Sequence, residues 1–267
     1  MEISHIVGYV LAILVGITLG LIGSGGSILS VPILVYVMNV APTLATAYSL
    51  FIVGTTALVG GFQKAKQKLV DYKKVVLFGI PTVVTVFITR KILVPLIPDT
   101  INITSDFLIR KEVLIMVVFA IVMIFASIRM IKPLDKEIIN DDSKLNYFRI
   151  VIQGIFIGLV AGFVGAGGGF LIIPALVFMA KTPMKMAVGT SLFIVATQSL
   201  VGFLGDISAK QIIDWKLILI FTSLSIVGIF IGNALSKKIK DEKLKTGFGW
   251  FVLLMGIYII IKELFYS

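Results

Sequence analysis

Residues 22–32 read Ile22-Gly23-Ser24-Gly25-Gly26-Ser27-Ile28-Leu29-Ser30-Val31-Pro32, and residues 164–174 repeat this pattern as Val164-Gly165-Ala166-Gly167-Gly168-Gly169-Phe170-Leu171-Ile172-Ile173-Pro174. Each glycine cluster follows a long apolar run and precedes a short apolar segment that contains a proline. Glycine inside a helix costs about 1 kcal/mol relative to alanine. Within a bilayer, such a break is tolerated only where protein shields the backbone or where the backbone lines a cavity. The two clusters therefore predict two interrupted helices in matching places.

The composition is that of a membrane protein. Hydrophobic residues make up 58% of the 267 residues and charged residues 14%, whereas about a quarter of an ordinary soluble domain is charged. The N-terminus lacks the basic region of a cleavable signal peptide, so we interpret the chain from Ile6 onward as mature membrane helix. The absence of cysteine excludes disulfides and thiolate chemistry.

Hydropathy predicts an all-α fold of ten helical segments. We place them near 6–22, 28–40, 43–62, 74–97, 112–131, 147–164, 170–181, 184–204, 215–235 and 246–264. The segments 28–40 and 170–181 are short, covering about 18–20 Å at 1.5 Å per residue, against a hydrocarbon core of about 30 Å. They are half-helices, or they cross the bilayer only together with the segment before the glycines.

Three connections are strongly basic, and each carries five Lys or Arg residues: 64–74, 129–149 and 237–245. Basic connections stay in the cytoplasm. Ten crossings place all three there, with both termini outside. The same tendency accounts for the net charge of +10, so we expect no nucleic-acid partner.

The chain is an internal duplication. Between 18–62 and 160–204, 18 of 45 residues are identical, and Gly, Pro, Ser and Thr recur in register. We divide it into an N-terminal membrane repeat (1–131), a cytoplasmic linker (132–146) and a C-terminal membrane repeat (147–267). Because five segments per half is an odd number, the second repeat must be inverted relative to the first, an architecture that supports alternating access.

The glycine clusters predict an anion site near the bilayer midplane. Backbone N–H groups at the start of each following half-helix attract negative charge, and we expect the first half-helix to open at Ser27-Ile28 and the second at Gly169-Phe170. Hydroxyl groups on the third and eighth segments would complete the hydrogen bonds. The predicted binding residues are Gly23, Ser24, Gly25, Gly26, Ser27, Ser49, Thr55, Gly165, Gly167, Gly168, Gly169, Thr190, Ser191 and Thr197. The alternative is structural: glycines that permit close helix packing, and hydroxyls that bond to their own or neighbouring helices.

Residues for other chemistry are scarce. Neither cluster is followed by the Lys-Ser or Lys-Thr pair of a phosphate-binding loop. His5 is the only histidine, so we expect no enzyme, no metal site and no cofactor. Arg90 and Lys91 fall inside a segment, where we interpret them first as cations that snorkel to the interface beside Pro95. A role in substrate binding is the alternative.

The chain resembles the TauE/SafE family of sulfite-exporter-like membrane permeases over nearly its whole length. The resemblance lies in the twin Gly-x-Gly-Gly motifs followed by proline and in the segments Ala45-Thr46-Ala47-Tyr48-Ser49-Leu50 and Ala187-Val188-Gly189-Thr190-Ser191-Leu192. The first motif departs from the family pattern at Ser27. The resemblance implies transport of small sulfur-containing anions such as sulfite, sulfoacetate or related organosulfonates.

We therefore expect a multi-pass transporter of a prokaryotic plasma membrane that moves such anions by alternating access. The alternative is an anion channel with the same glycine-lined constriction. A third hypothesis is a membrane subunit that serves mainly as an assembly partner. The expected partners are a small anionic solute and membrane lipid. The sequence leaves open the direction of transport and the coupling ion. It also leaves open the oligomeric state, and a homo-oligomer is one possibility.

Overall fold

The computed structural model describes residues 3–98, 100–104, 107–131, 147–165, 167–179, 182–208, 213–236 and 241–265. The predicted linker 132–146 lies outside the described residues. Within them the chain forms ten helical segments, as predicted. They are α1 (Ile3–Ile22), α2 (Gly23–Leu29, Ser30–Pro32 and Ile33–Val37), α3 (Pro42–Lys66), α4 (Tyr72–Leu96), α5 (Lys111–Ile131), α6 (Tyr147–Val164), α7 (Gly169–Pro174 and Ala175–Met179), α8 (Met184–Ser208), α9 (Trp215–Leu235) and α10 (Asp241–Phe265).

A short β-hairpin between α4 and α5 is an addition to the predicted all-α fold. Strands β1 (Thr100–Thr104) and β2 (Phe107–Arg110) pair antiparallel, with Thr100 opposite Arg110. The hydropathy pattern identifies membrane segments, and this hairpin lies outside them. Apart from short connections, the rest of the described chain is helical, so the all-α class is confirmed.

The two short segments differ in how they begin. In α2 the helix starts at Gly23 as a tight 3-10 turn rather than at Ser27-Ile28, whereas α7 starts at Gly169 as predicted. The difference follows the backbone: only Gly23 is left-handed in the first cluster, but Gly165, Gly167 and Gly168 all are in the second. Both segments end in a wide π turn after their proline.

Helices of one half pack on helices of the other. Helix α1 packs on α9 and α6 on α4, while α3 packs on α8 and α5 on α10. When every helix is replaced by its counterpart in the other half, each of these pairs becomes a pair that is also observed. Glycines allow the α1–α9 contact, because a Cβ on Gly16 would lie 2.9 Å from the Cα of Gly228, and a Cβ on Gly232 would lie 3.0 Å from the Cα of Gly20. This is the small-residue spacing that lets membrane helices approach closely.

The starts of α4 and α9 are also anchored across the halves. Asp71 caps α4, and its backbone N–H donates to Thr190 Oγ1 at 3.0 Å. Asp214 caps α9, and its N–H donates to Tyr48 Oη at 2.8 Å. Asp214 and Thr190 are the repeat counterparts of Asp71 and Tyr48. Each half therefore holds the entry of a helix in the other half.

The chain is a multi-pass membrane protein. Six described helices are long and apolar enough to cross a bilayer: those within α1, α3, α4, α5, α8 and α9. Ser27–Val37 and Ile150–Val164 are shorter apolar helices. Large apolar side chains such as Val84 on α4, Phe125 on α5 and Phe156 on α6 are exposed on the outside, where lipid would cover them. Helices α3 and α8 are largely buried and form the centre.

Candidate anion site at the glycine turns

The second glycine turn has a backbone that only glycine adopts without strain. Gly165, Gly167 and Gly168 have φ angles of +73°, +66° and +57°, the left-handed region that costs other residues roughly 1–2 kcal/mol. All three are buried, and Gly168 caps the start of α7. The glycines therefore serve both the turn and its close approach to the neighbouring helices.

Gly167 lies between the two central helices. A Cβ placed on it would lie 3.2 Å from Cγ1 of Val53 on α3 and 3.2 Å from Cγ1 of Val195 on α8. These valines are repeat counterparts, 142 positions apart. The same Cβ would lie 2.8 Å from Ser199 Oγ. The turn therefore occupies the contact between the halves.

Buried polar atoms beside this turn and on the central helices keep unused hydrogen-bonding capacity. Gln198 Nε2 donates to the carbonyl oxygen of Gly167. Gln198 Oε1, Ser199 Oγ and, on α3, Thr56 Oγ1 are buried without a hydrogen-bond partner among the described residues. An unpaired buried polar group costs about 1–3 kcal/mol. Such a cluster is suited to a polar solute that supplies the missing partners.

The first glycine turn mirrors the second. Gly23 has a φ of +76°, and a Cβ on it would lie 3.3 Å from Val188 Cα on α8. A Cβ on its counterpart Gly165 would lie 2.7 Å from Cα of Thr46 on α3. Val188 is the repeat counterpart of Thr46. Each turn therefore packs against the central helix of the opposite half.

The remaining predicted residues of the first cluster lie in one short 3-10 helix. Ser24, Gly25, Gly26 and Ser27 belong to the 3-10 segment Gly23–Leu29. Ser27 is buried, and its carbonyl oxygen accepts from Ser30 Oγ at 2.8 Å. Gly169, in the second turn, is buried at the first position of α7.

The predicted hydroxyls of the central helices divide into two groups. Ser49 is buried and shares a hydrogen bond with Ser30 Oγ, and Ser191 is buried and donates to Val188 O at 2.8 Å. Thr190 is buried but accepts from Asp71 N, so its hydroxyl anchors α4. Thr55 is half-buried, and Thr197 is exposed, bonding back to Phe193 O and Ile194 O. Ser49 thus bonds to the segment after the first glycine cluster, and Ser191 bonds to Val188, which contacts Gly23, whereas Thr197 is not buried among the helices.

The snorkelling interpretation is wrong for Arg90. Arg90 is 1% exposed as a residue, and its Nε lies 3.4 Å from Asp206 Oδ2 on α8. Its Nη1 donates to Thr46 Oγ1 at 3.1 Å. Lys91 is exposed and lies over the ring of Phe87. Both residues lie in the wide π turn Thr89–Leu93, next to Pro95, where two consecutive cations have opposite environments.

A cavity of about 100 Å³ lies beside the first glycine turn. It borders that turn through Leu21 and Val188, and the glycines themselves do not line it. Its polar lining is rich in positive charge and comes from Lys64, Gln67, Lys185 and Ser236. Lys64 Nζ lies 3.5 Å from Ser236 Oγ. This composition suits a small anion.

The family model described as sulfite exporter TauE/SafE matches residues 9–259. The chain belongs to the TauE/SafE family. It is 29% identical over 257 residues to a probable membrane transporter protein of Xylella fastidiosa, covering 94% of this chain and 92% of the relative. It is 26% identical to the probable membrane transporter protein YunE of Bacillus subtilis, covering 98% of this chain and 99% of the relative. A probable membrane transporter protein of Methanocaldococcus jannaschii is 26% identical over 94% of this chain and 95% of its own length. No solved structure was found to match the chain.

The resemblance to the TauE/SafE family is thus confirmed, and the family and its relatives indicate a membrane transporter rather than an enzyme. Among the described residues, no group of three or more His, Asp or Glu side chains is placed to hold a metal ion.

The predicted site of this TauE/SafE protein does not include three buried polar side chains of the central helices: Gln198 and Ser199 beside Gly167, and Thr56 on α3. A signal for two of them was present in the sequence. Thr56 follows Ser49 by seven residues, and Gln198 follows Ser191 by seven. Residues seven apart share one face of a helix. The predicted residues Thr55 and Thr197 are identical in the two halves, but they lie one position off that face.

Proposed function

We propose that this TauE/SafE transporter carries small sulfur oxyanions, such as sulfite or an organosulfonate, by alternating access. One observation carries the proposal. The Gly167 turn lies between Val53 and Val195, beside the unpartnered buried atoms Ser199 Oγ and Gln198 Oε1, and α3 carries a further unpartnered buried hydroxyl on Thr56. A buried, partly satisfied polar cluster between two halves is the place where a solute would bind.

The chemistry of the cluster suits an oxyanion. Ser199 and Thr56 each have a hydroxyl hydrogen to donate, and hydroxyl donors bind a charged acceptor more strongly than a neutral one. Transfer of an anion out of water is expensive unless hydrogen bonds replace its hydration shell. Sulfur oxyanions offer several acceptor oxygens at one centre, so one solute can accept from more than one hydroxyl.

The crosswise packing and the predicted inversion of the second half support alternating access. Each glycine turn contacts the central helix of the opposite half, at Val188 and Thr46. A rocking motion of one half would therefore change both contacts at once. The cavity lined by Lys64 and Lys185 adjoins the basic connection 64–74, so we assign it to the cytoplasmic side and propose that anions enter or leave there.

Transport into vesicles tests the proposal. Purified protein in proteoliposomes should take up radiolabelled sulfite or sulfoacetate saturably, and internal unlabelled anion should accelerate the uptake. Taurine, sulfate and thiosulfate, tested as competitors, would define the solute class. An ohmic current without exchange would favour the channel, and neither uptake nor current would favour a role in assembly. Either result would overturn the carrier.

A further inference from the structure

A second feature of the molecule is a groove built around the stem of Arg90. The groove is formed by two glycines of α8: a Cβ on Gly205 would lie 3.1 Å from Arg90 Cβ, and a Cβ on Gly202 would lie 3.9 Å from Arg90 Cγ. The arginine leaves α4 from the π turn Thr89–Leu93, a kind of distortion that is common at functional sites. Two helices are thus shaped to bury this one side chain.

The guanidinium group of Arg90 is only partly satisfied. It has five N–H donors. Asp206 Oδ2 lies 3.4 Å from Nε, and Thr46 Oγ1 accepts from Nη1 at 3.1 Å. Nη2 is buried and has no hydrogen-bond partner among the described residues. A buried cation normally requires a full set of partners, so this one retains donors for a ligand.

Thr46 connects Arg90 to the second glycine turn. The Cα of Thr46 would lie 2.7 Å from a Cβ on Gly165, so no side chain separates the turn from Thr46. On its other side, the Thr46 hydroxyl accepts the hydrogen bond from Arg90. Asp206 pairs with the Nε of Arg90 and balances its charge.

The first glycine turn also has a buried cation nearby, on a residue that is related by the repeat to Asp206. Lys64 is the repeat counterpart of Asp206, and Asn233 is that of Arg90. Lys64 is 7% exposed, and its Cβ lies 3.1 Å from where a Cβ on Gly189 would be. Gly189 follows Val188, which contacts Gly23. Each glycine turn therefore has one buried positive charge nearby, although the two halves use different residues for it.

We propose that Arg90 is a substrate-binding residue that holds the oxyanion at the second glycine turn, with Asp206 as the positioning residue that orients it. This deepens the proposed function and rests on it. The planar fork of arginine binds two oxygens of one oxyanion at once, which a lysine ammonium cannot do. The expected ligand class is an anion with at least two oxygens on one centre, such as a sulfite or sulfonate, rather than a halide.

The test uses the full-length protein, with sulfite binding measured by thermal stabilisation in detergent and transport measured in proteoliposomes. Arg90→Lys keeps the charge and loses the fork, so we expect its Kd and KM for sulfite to rise about tenfold or more while chloride competes better than in the wild type. The double variant Arg90→Met with Asp206→Leu removes both charges together, which avoids an unpaired buried carboxylate. It should insert and lose saturable sulfite binding. Lys91→Met is the matched control and should keep the wild-type KM.

The outcomes separate this assignment from the proposed function. Wild-type KM and selectivity in the double variant, or in Arg90→Lys, would show that the ion pair only joins α4 to α8, and would overturn the assignment while leaving the carrier intact. Failure of the wild type to bind any of the tested sulfur anions would overturn both.

Discussion

At the scale of single residues, neighbouring positions on one helix have different environments. On α8, Thr197 is exposed and bonds to its own helix, whereas Gln198 and Ser199 are buried beside Gly167. On α4, Arg90 is buried and Lys91 is exposed. Each pair offers a test with an internal control, because one residue faces the proposed site and its neighbour does not.

Ser199→Ala should weaken substrate binding without unfolding the protein. The Ser199 hydroxyl has no partner among the described residues, so its removal leaves no other group unsatisfied. A hydrogen bond to a charged group contributes about 1.5–3 kcal/mol, and we expect KM for the transported anion to rise by about tenfold or more. Initial-rate uptake in proteoliposomes measures this. Thr197→Ala should leave KM unchanged, and an equal effect of both substitutions would argue against the site.

Gly167→Leu should abolish flux while the protein still inserts, and Gly25→Leu is expected to do the same at the first turn. At Gly167 the left-handed backbone and the contacts with Val53 and Val195 leave no room for a side chain, and forced overpacking costs about 1–3 kcal/mol. Uptake per inserted molecule is the measurement. Gly247→Leu is the control, because nothing lies within 4 Å of a Cβ at that position. Undiminished flux in both variants would refute the site.

At the scale of secondary-structure elements, the fold depends on close contacts between helices of opposite halves. The α1–α9 contact brings Gly16 and Gly20 against Gly228 and Gly232. Each pair has glycines four residues apart, on one face of its helix. In lipid, apolar burial does not drive helices together, so this contact depends on van der Waals packing of the two backbones.

Gly228→Ala should destabilise the protein, although alanine is the better helix former. The new Cβ would lie 3.0 Å from Gly16 Cα and would overlap Ile13 O, so the helices must separate. We expect a loss of about 1–3 kcal/mol, measured as a lower melting temperature in detergent. At Gly79, also inside a helix, nothing lies within 4 Å of a Cβ. Gly79→Ala should therefore be neutral or stabilising by up to about 1 kcal/mol. A lower melting temperature for Gly79→Ala than for Gly228→Ala would contradict the packing argument.

At the scale of the whole molecule, the two halves are interlocked. Helices α3 and α8 lie together at the centre, and α2 contacts α7. The starts of α4 and α9 are held by Thr190 and Tyr48 of the opposite halves. A solute at the Gly167 turn would therefore touch both halves, so its binding would bias their relative arrangement, as a carrier requires.

Because the chain has no cysteine, single cysteines can report the accessibility of the cavity. Gln67→Cys, in the cavity lining, should react with a membrane-impermeant thiol reagent from the cytoplasmic side, and saturating sulfite should change the rate if the halves alternate. Lys73→Cys, exposed in the same connection but outside the lining, should react at one rate throughout. Labelling of Gln67→Cys only from the opposite side would refute the topology, and an unchanged rate would argue against alternation at this cavity.

Much of the fold was predictable from the sequence because its signals are local. Apolar runs define the helical segments, and the glycine clusters interrupt them because glycine adopts without strain the left-handed backbone that Gly165 and Gly167 have. The repeat is visible because Gly, Pro and Ser recur in register. These features establish a membrane protein of ten helical segments with two glycine turns, and they need no knowledge of how the helices pack.

Tertiary structure decided which polar groups meet. The pairing of Arg90 with Asp206, and the contacts of Gly165 with Thr46 and of Gly167 with Ser199, join different helices. Hydropathy cannot specify such contacts, because an apolar helix is compatible with many rotations about its axis. Only the packing of neighbouring helices selects one rotation, and that rotation determines which side chains face the centre and which face lipid.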